Sequence, residues 1–175
     1  PISIDIDYDP LVVLENKKRW DAALALKVVD RPPVGWGAGA RLMLSRRGKT
    51  FPQFFDDPIE QLLNLVNNWK WIAENLPGDM INDMVIPIQP QFENASNSNA
   101  FGSLIQWYED KPPVALPCIK TVEELENYSP PPVEETLWNR MIEYYYAMKE
   151  YLEEGNLKVT MRGEPVKIDL QLHTG

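Results

Sequence analysis

Sixteen prolines in 175 residues decide where this chain cannot be in the middle of an element. Proline has no backbone N–H and holds φ near −65°, so a cluster of prolines marks the rim of a helix or strand. The clusters stand at Pro32-Pro33, Pro87 and Pro90, Pro112-Pro113 with Pro117, and Pro130-Pro131-Pro132. Between them the apolar spacing is informative. Trp20, Ala23, Leu24 and Lys27 predict a helix over 15–28. Val34-Gly35-Trp36 then reads as a short strand, loosened at its end by Gly35, Gly37 and Gly39. Thr50-Phe51-Pro52 is a cap with proline in the first helical turn, and Asp57-Pro58 repeats that signal for a longer helix reaching about residue 76. Ile59, Leu62, Leu63, Val66, Trp69 and Ala73 give the longer helix an apolar face.

The run MVIPI (84–88) has the look of a buried strand that ends near Pro87. The polar stretch ENASNSNA (93–100) is expected to be a loop. Residues 104–108 read as an excursion strand and 113–119 as extended chain. Thr121-Val122-Glu123-Glu124 is a capping box that predicts a short helix. The strongest helical pattern covers 134–153, where Trp138, Met141, Tyr145, Met148 and Leu152 recur at three- and four-residue steps before Gly155. Residues 158–160 and 166–172 are the last strand candidates. Strands separated by long helices predict an α/β fold with a parallel sheet, leaving barrel and open sheet undecided.

Composition excludes several functions. With 44% apolar and 25% charged residues the chain suits a globular domain, and its length allows one domain or less. A net charge of −9 without a basic stripe argues against a nucleic-acid partner; Lys17-Lys18-Arg19 and Arg46-Arg47 read as solvated charges. No run approaches the 18 or so apolar residues of a membrane helix, and PISIDIDYDP lacks the pattern of a signal peptide. A single cysteine, Cys118, rules out a disulfide framework and suits a reducing compartment, so a cytoplasmic location is expected. Flanked by Pro117 and Ile119, Cys118 is expected to be buried and inert.

Four phrases in register carry a resemblance. DRPPVGW (30–36), FPQFFDDPIEQLL (51–63), NAFGSLIQW (99–107) and PPVALPCIKTVEELENYSPP (112–131) resemble, in order and spacing, segments of the uroporphyrinogen decarboxylase superfamily. Its members include the porphyrinogen decarboxylase and methyltransferases that serve corrinoid proteins. The resemblance implies that residues 1–175 are the N-terminal portion of one (β/α)8 TIM barrel, about three barrel strands with their helices, and that 1–30 form an N-terminal extension and helix. VKIDLQLHTG (166–175) would be the third barrel strand. The chain would stop before the barrel closes, so either a second polypeptide supplies the remaining strands or residues 1–175 are a nicked or truncated piece, with the first or a nicked whole chain favoured; homo-oligomerisation stays open.

The resemblance also implies chemistry. The porphyrinogen decarboxylase carries an Arg-rich loop after its first strand and an Asp after its second. Here GWGAGARLML (35–44) keeps only Arg41, a candidate anion anchor, and IPIQPQFEN (86–94) has no such Asp. A tetrapyrrole polycarboxylate needs several fixed cations, so decarboxylation is the weaker alternative. In the methyltransferase branch the second strand often runs "vPf....E", and Pro87 and Glu93 stand at that spacing. Glu93 is then a substrate-binding candidate; a solvated loop carboxylate is the alternative. Trp36, at the end of its expected strand, joins Arg41 and Glu93 as a substrate-binding residue. His173, the only histidine, follows a strand and is the candidate catalytic proton carrier, or else a packing residue at the junction with the missing half.

These four residues would meet at the carboxyl rim of the barrel. Zinc, where the branch uses it, is held by an H-x-C and a later Cys in the second half of the barrel. Cys118 and His173 lie on separate elements, so no metal is expected on this chain alone. The implied reaction is methyl transfer between a small substrate and a corrinoid (cobalamin) held on a partner protein. A non-catalytic barrel subunit or scaffold remains the alternative from another class.

Overall fold

The computed structural model describes residues 1–172. Its elements are β1 (Ile2–Ile6), α1 (Pro10–Leu24), α2 (Ala40–Arg47), α3 (Phe51–Asp56), α4 (Pro58–Asn75), β2 (Val85–Ile88), α5 (Ala95–Ala100), β3 (Ile105–Gln106), β4 (Val114–Ala115), α6 (Val122–Glu126), α7 (Leu137–Glu153), β5 (Leu157–Met161), β6 (Glu164–Pro165) and β7 (Lys167–Leu170). The chain is a mixed α/β protein with small sheets and, among the described residues, no closed barrel. No helix among these residues is long and apolar enough to cross a membrane.

Most helix starts follow local chemistry. Asp57 accepts from the N–H groups of Ile59 and Glu60, with Pro58 in the first turn of α4. Thr121 and Glu124 close a reciprocal capping box at α6. The first helix departs from expectation: it spans Pro10–Leu24, because Asp9 caps it by accepting from Leu11 N–H at 2.9 Å and Pro10 opens its first turn. The polar stretch expected to be a loop contains α5, since burial of Ala95 and Ser96 against α7 outweighs its turn-prone composition.

β1 pairs with β5 in parallel over five residues, from Ile2 opposite Leu157 to Ile6 opposite Met161. Residues 2–6 are therefore integral to the sheet. β2 pairs with β7 in parallel, Val85 opposite Lys167 and Ile88 opposite Leu170. β5 turns back into β6, and Val166 continues that run into β7 while its N–H donates to the Val159 carbonyl at 3.0 Å. The two parallel pairs are thereby linked along the chain but form separate small sheets.

Ile4, Ile6, Leu157, Val159, Met161, Val166, Ile86 and Ile88 are buried together with Leu62 and Val66 of α4 and Met148 of α7. At 20–33 cal/mol per Å² of buried apolar surface, this layer of aliphatic side chains is the main stabilising contact. The opposite face is polar, with Ser3, Asp5, Lys158 and Lys167 exposed. Pro87 sits on β2 at a position whose ladder side is its free edge. The bonds Lys167 N–H to Met84 and Gln171 N–H to Ile88 show that residues 84 and 88 face β7, so residues 85 and 87 face away. Proline's missing donor is tolerated there and blunts the edge.

A second cluster lies beside the sheet. Phe51, Phe54, Phe55, Phe92, Met141 and Tyr144 are buried with Ala40 and Leu44. Phe55 and Phe92 stack at 5.6 Å between ring centroids, and Tyr144 lies 5.4 Å from Phe92.

Candidate functional site

Parallel strands β2 and β7 end side by side, and in open or closed α/β sheets ligands gather beyond such carboxyl ends. The chain leaving β2 there is held at three consecutive residues. Gln91 is fixed by the buried Gln61 side chain of α4, which accepts from Gln91 N–H at 2.9 Å and donates to its carbonyl at 3.0 Å. Phe92 is wholly buried in the aromatic cluster. Glu93, next in line, is pushed outward in the left-handed region at φ 51°, unusual for a residue with a side chain. Its carbonyl accepts from Ser96 Oγ at 3.3 Å as α5 begins.

The result is a cleft of about 370 Å³. The loop after β2 and the start of α5 supply Gln89, Gln91, Glu93, Asn94 and Asn97; α7 supplies Trp138 and Met141. Among the described residues no Lys or Arg lines the cleft. The nearest guanidinium on α7, Arg140, is committed elsewhere: it pairs with Asp56 at 3.0 Å, donates to Tyr144 Oη and lies over the Phe92 ring. Glu93 reaches solvent, yet the surrounding protein withdraws enough water from its carboxyl to push its pKa up. The arrangement offers one carboxylate, several amides and an aromatic wall, a set suited to orienting a small polar molecule.

The other expected site residues lie elsewhere. Residues 34–36 form no strand. Their hydrogen bonds go to the turn before β2: Val34 N–H donates to the Asp79 carboxylate, Asp79 N–H donates to the Val34 carbonyl, and Trp36 Nε1–H donates to Pro77. Gly78 permits this approach, since a Cβ on it would meet the Val34 carbonyl oxygen at 2.8 Å. Trp36 therefore sits against the segment that enters β2, whereas Glu93 follows the strand's far end. Arg41 lines a different cleft of about 360 Å³ with Lys49, Glu109 and Asp110. The spaces beside Trp36, Arg41 and Glu93 share no lining residue. His173 lies outside the described residues.

Cys118 is exposed, contrary to expectation, because the β3–β4 excursion presents it at the surface; its thiol donates to the Phe101 carbonyl. Among the described residues no three His, Cys, Asp or Glu side chains are grouped to hold a metal.

Two features escaped the sequence reading. Asp79 is fully buried and binds Arg19 and Arg31, and Arg19 also pairs with Asp30. The signal was available in Asp30-Arg31 beside a proline pair, but its partner 48 residues away was not. Trp138 and Met141 were legible as one helix face, though not as the wall of a cleft. Comparisons of the chain with protein-family models, curated proteins and solved structures give no match.

Proposed function

We propose that residues 1–175 belong to the N-terminal part of a (β/α)8 barrel of the uroporphyrinogen decarboxylase type. In this reading the complete barrel moves a methyl group between a small substrate and a corrinoid protein, and the Glu93 cleft receives the small substrate. The observation that carries it is the position of Glu93, beyond the carboxyl ends of two adjacent parallel strands and two residues after Gln91, which Gln61 clasps. Consecutive barrel strands are parallel neighbours, and β2 and β7 have that relation with α7 between them in sequence. Among the described residues no Lys or Arg lines the cleft, which disfavours the decarboxylase alternative, whose polycarboxylate substrate needs several fixed cations.

The corrinoid, on its own protein, supplies the cobalt that exchanges the methyl group. The chain's own residues orient the substrate: Glu93 and the neighbouring amides hold its polar end, and Trp138 with Met141 exclude water from the other. His173 is the proposed proton donor to the leaving heteroatom. The residues described here do not fit a zinc site, and no step is assigned to that metal. The test is the visible absorbance of the corrinoid partner mixed with the assembled protein and a methyl donor. Methylation of the cobalt that depends on the assembled protein is the expected result; an unchanged spectrum with every donor class, ethers and amines included, rejects the proposal.

A further inference from the structure

We propose that the group recognised in the Glu93 cleft is a small ammonium, protonated or quaternary. This rests on the cleft being the small-substrate site; methyl transfer as its reaction is a separate matter. The charge balance gives the first argument. Among the described residues Glu93 is the one ionisable side chain lining the cleft, and no Lys or Arg lines it to neutralise that charge. The amides of Gln89, Gln91, Asn94 and Asn97 add acceptors and donors without adding charge. Arg140, the cation closest in sequence to the α7 wall, is held by Asp56, Tyr144 and the Phe92 ring.

The wall gives the second argument. Trp138 has the aromatic side chain that attracts cations most strongly, and Met141 adds a polarizable thioether one turn away. A carboxylate and a tryptophan lining the same cleft can together take a cation out of water without leaving its charge unpaired. Size is compatible: about 370 Å³ lies at the lower end of the roughly 300–1,000 Å³ typical of small-molecule pockets. The loop adds preorganisation, since Gln61 and Phe92 fix the residues before Glu93 and little ordering is left for the ligand to induce. Partial removal of water already disfavours the ionised carboxyl, and a bound cation reverses that preference.

Isothermal titration of the full chain with tetramethylammonium chloride tests this, with tert-butanol as a neutral probe and sodium acetate as an anionic one. Saturable binding of tetramethylammonium is expected, with at least about tenfold weaker binding of tert-butanol and none of acetate. Glu93→Gln and Trp138→Leu should each weaken tetramethylammonium by at least about fivefold while preserving the far-ultraviolet dichroism. Equal affinity for the neutral probe, or undiminished binding in folded Glu93→Gln, overturns the assignment. Tetramethylammonium binding in a protein that transfers no methyl group would retire the methyltransferase reading and leave this one standing. Methyl transfer from an ether, unaffected by tetramethylammonium, would do the reverse.

Discussion

The Gln61 side chain closes on the backbone of Gln91 from both directions, accepting from its N–H at 2.9 Å and donating to its carbonyl at 3.0 Å. Gln61 is itself wholly buried and makes a further 3.3 Å contact with the Phe54 carbonyl. One helix residue thereby satisfies the loop residue two positions before Glu93. Gln61→Leu keeps the volume and abandons both backbone groups. A loss of about 2–4 kcal/mol is expected in urea denaturation, because unpaired buried polar groups retain their full desolvation penalty. Hydrogen exchange at Gln91 should accelerate well beyond that of the β1–β5 amides. A loss below about 0.5 kcal/mol would show that this clasp does not hold the loop.

Asp79 is the next test. Burial alone would raise its carboxyl, but the Arg31 hydrogen bond, the Val34 N–H and the charges of Arg19 and Arg31 outweigh burial and hold the pKa below its ordinary 3.8. A depressed folded pKa adds stability that is present above the unfolded value and is lost as pH falls through the folded one. Stability should therefore decline below about pH 4, and Asp79→Asn should flatten that limb. At pH 7 the substitution should cost about 2 kcal/mol, less than a fully buried pair, since Arg31 keeps about half its surface in water. An unchanged acid limb in Asp79→Asn would contradict this role.

Glu93 has a strained backbone and an unfavourably placed charge. Its φ of 51° suits glycine, so Glu93→Gly should stabilise the folded chain by about 0.5–1 kcal/mol. Its pKa is raised above 4.5 by loss of water, so the ionised form costs the folded state stability above that pKa and nothing below the unfolded value. Glu93→Gln should then be slightly more stable than the parent at pH 7 and equal to it at pH 4. The difference should stay below about 0.5 kcal/mol because the side chain reaches solvent. Thermal melts of both variants at the two pH values measure this. A destabilised Glu93→Gly would show that the loop needs the side chain for packing.

Much of this fold was legible locally. Asp57-Pro58, Thr121 with Glu124, and the apolar steps of α7 were each encoded within a few residues, and those helices form, although α7 begins at Leu137 and buries Tyr144 where the spacing pointed to Tyr145. The opening strand was equally legible in the alternation of ISIDI but was not assigned; its partner lies over 150 residues away. Residues 34–36 look like a strand by composition, yet their bonds run to Asp79 and Pro77, a tertiary match no local pattern contains. The site divides in the same way. Glu93 was picked out by the resemblance, through the methyltransferase-like placement of Pro87 and Glu93, whereas Trp138 and Gln61 enter only once α7 and α4 pack around the loop.

The central claim, that the small substrate of a methyl-transferring barrel sits in the Glu93 cleft and in neither of the other two, is tested by one comparison. Corrinoid methylation is followed by absorbance for the assembled protein carrying Glu93→Gln, Arg41→Met or Trp36→Phe. The account predicts that Glu93→Gln lowers the rate at limiting substrate by at least about tenfold, roughly 1.4 kcal/mol of transition-state binding, while the other two stay within about threefold. A full rate in folded Glu93→Gln, or a loss confined to Arg41→Met, would contradict it.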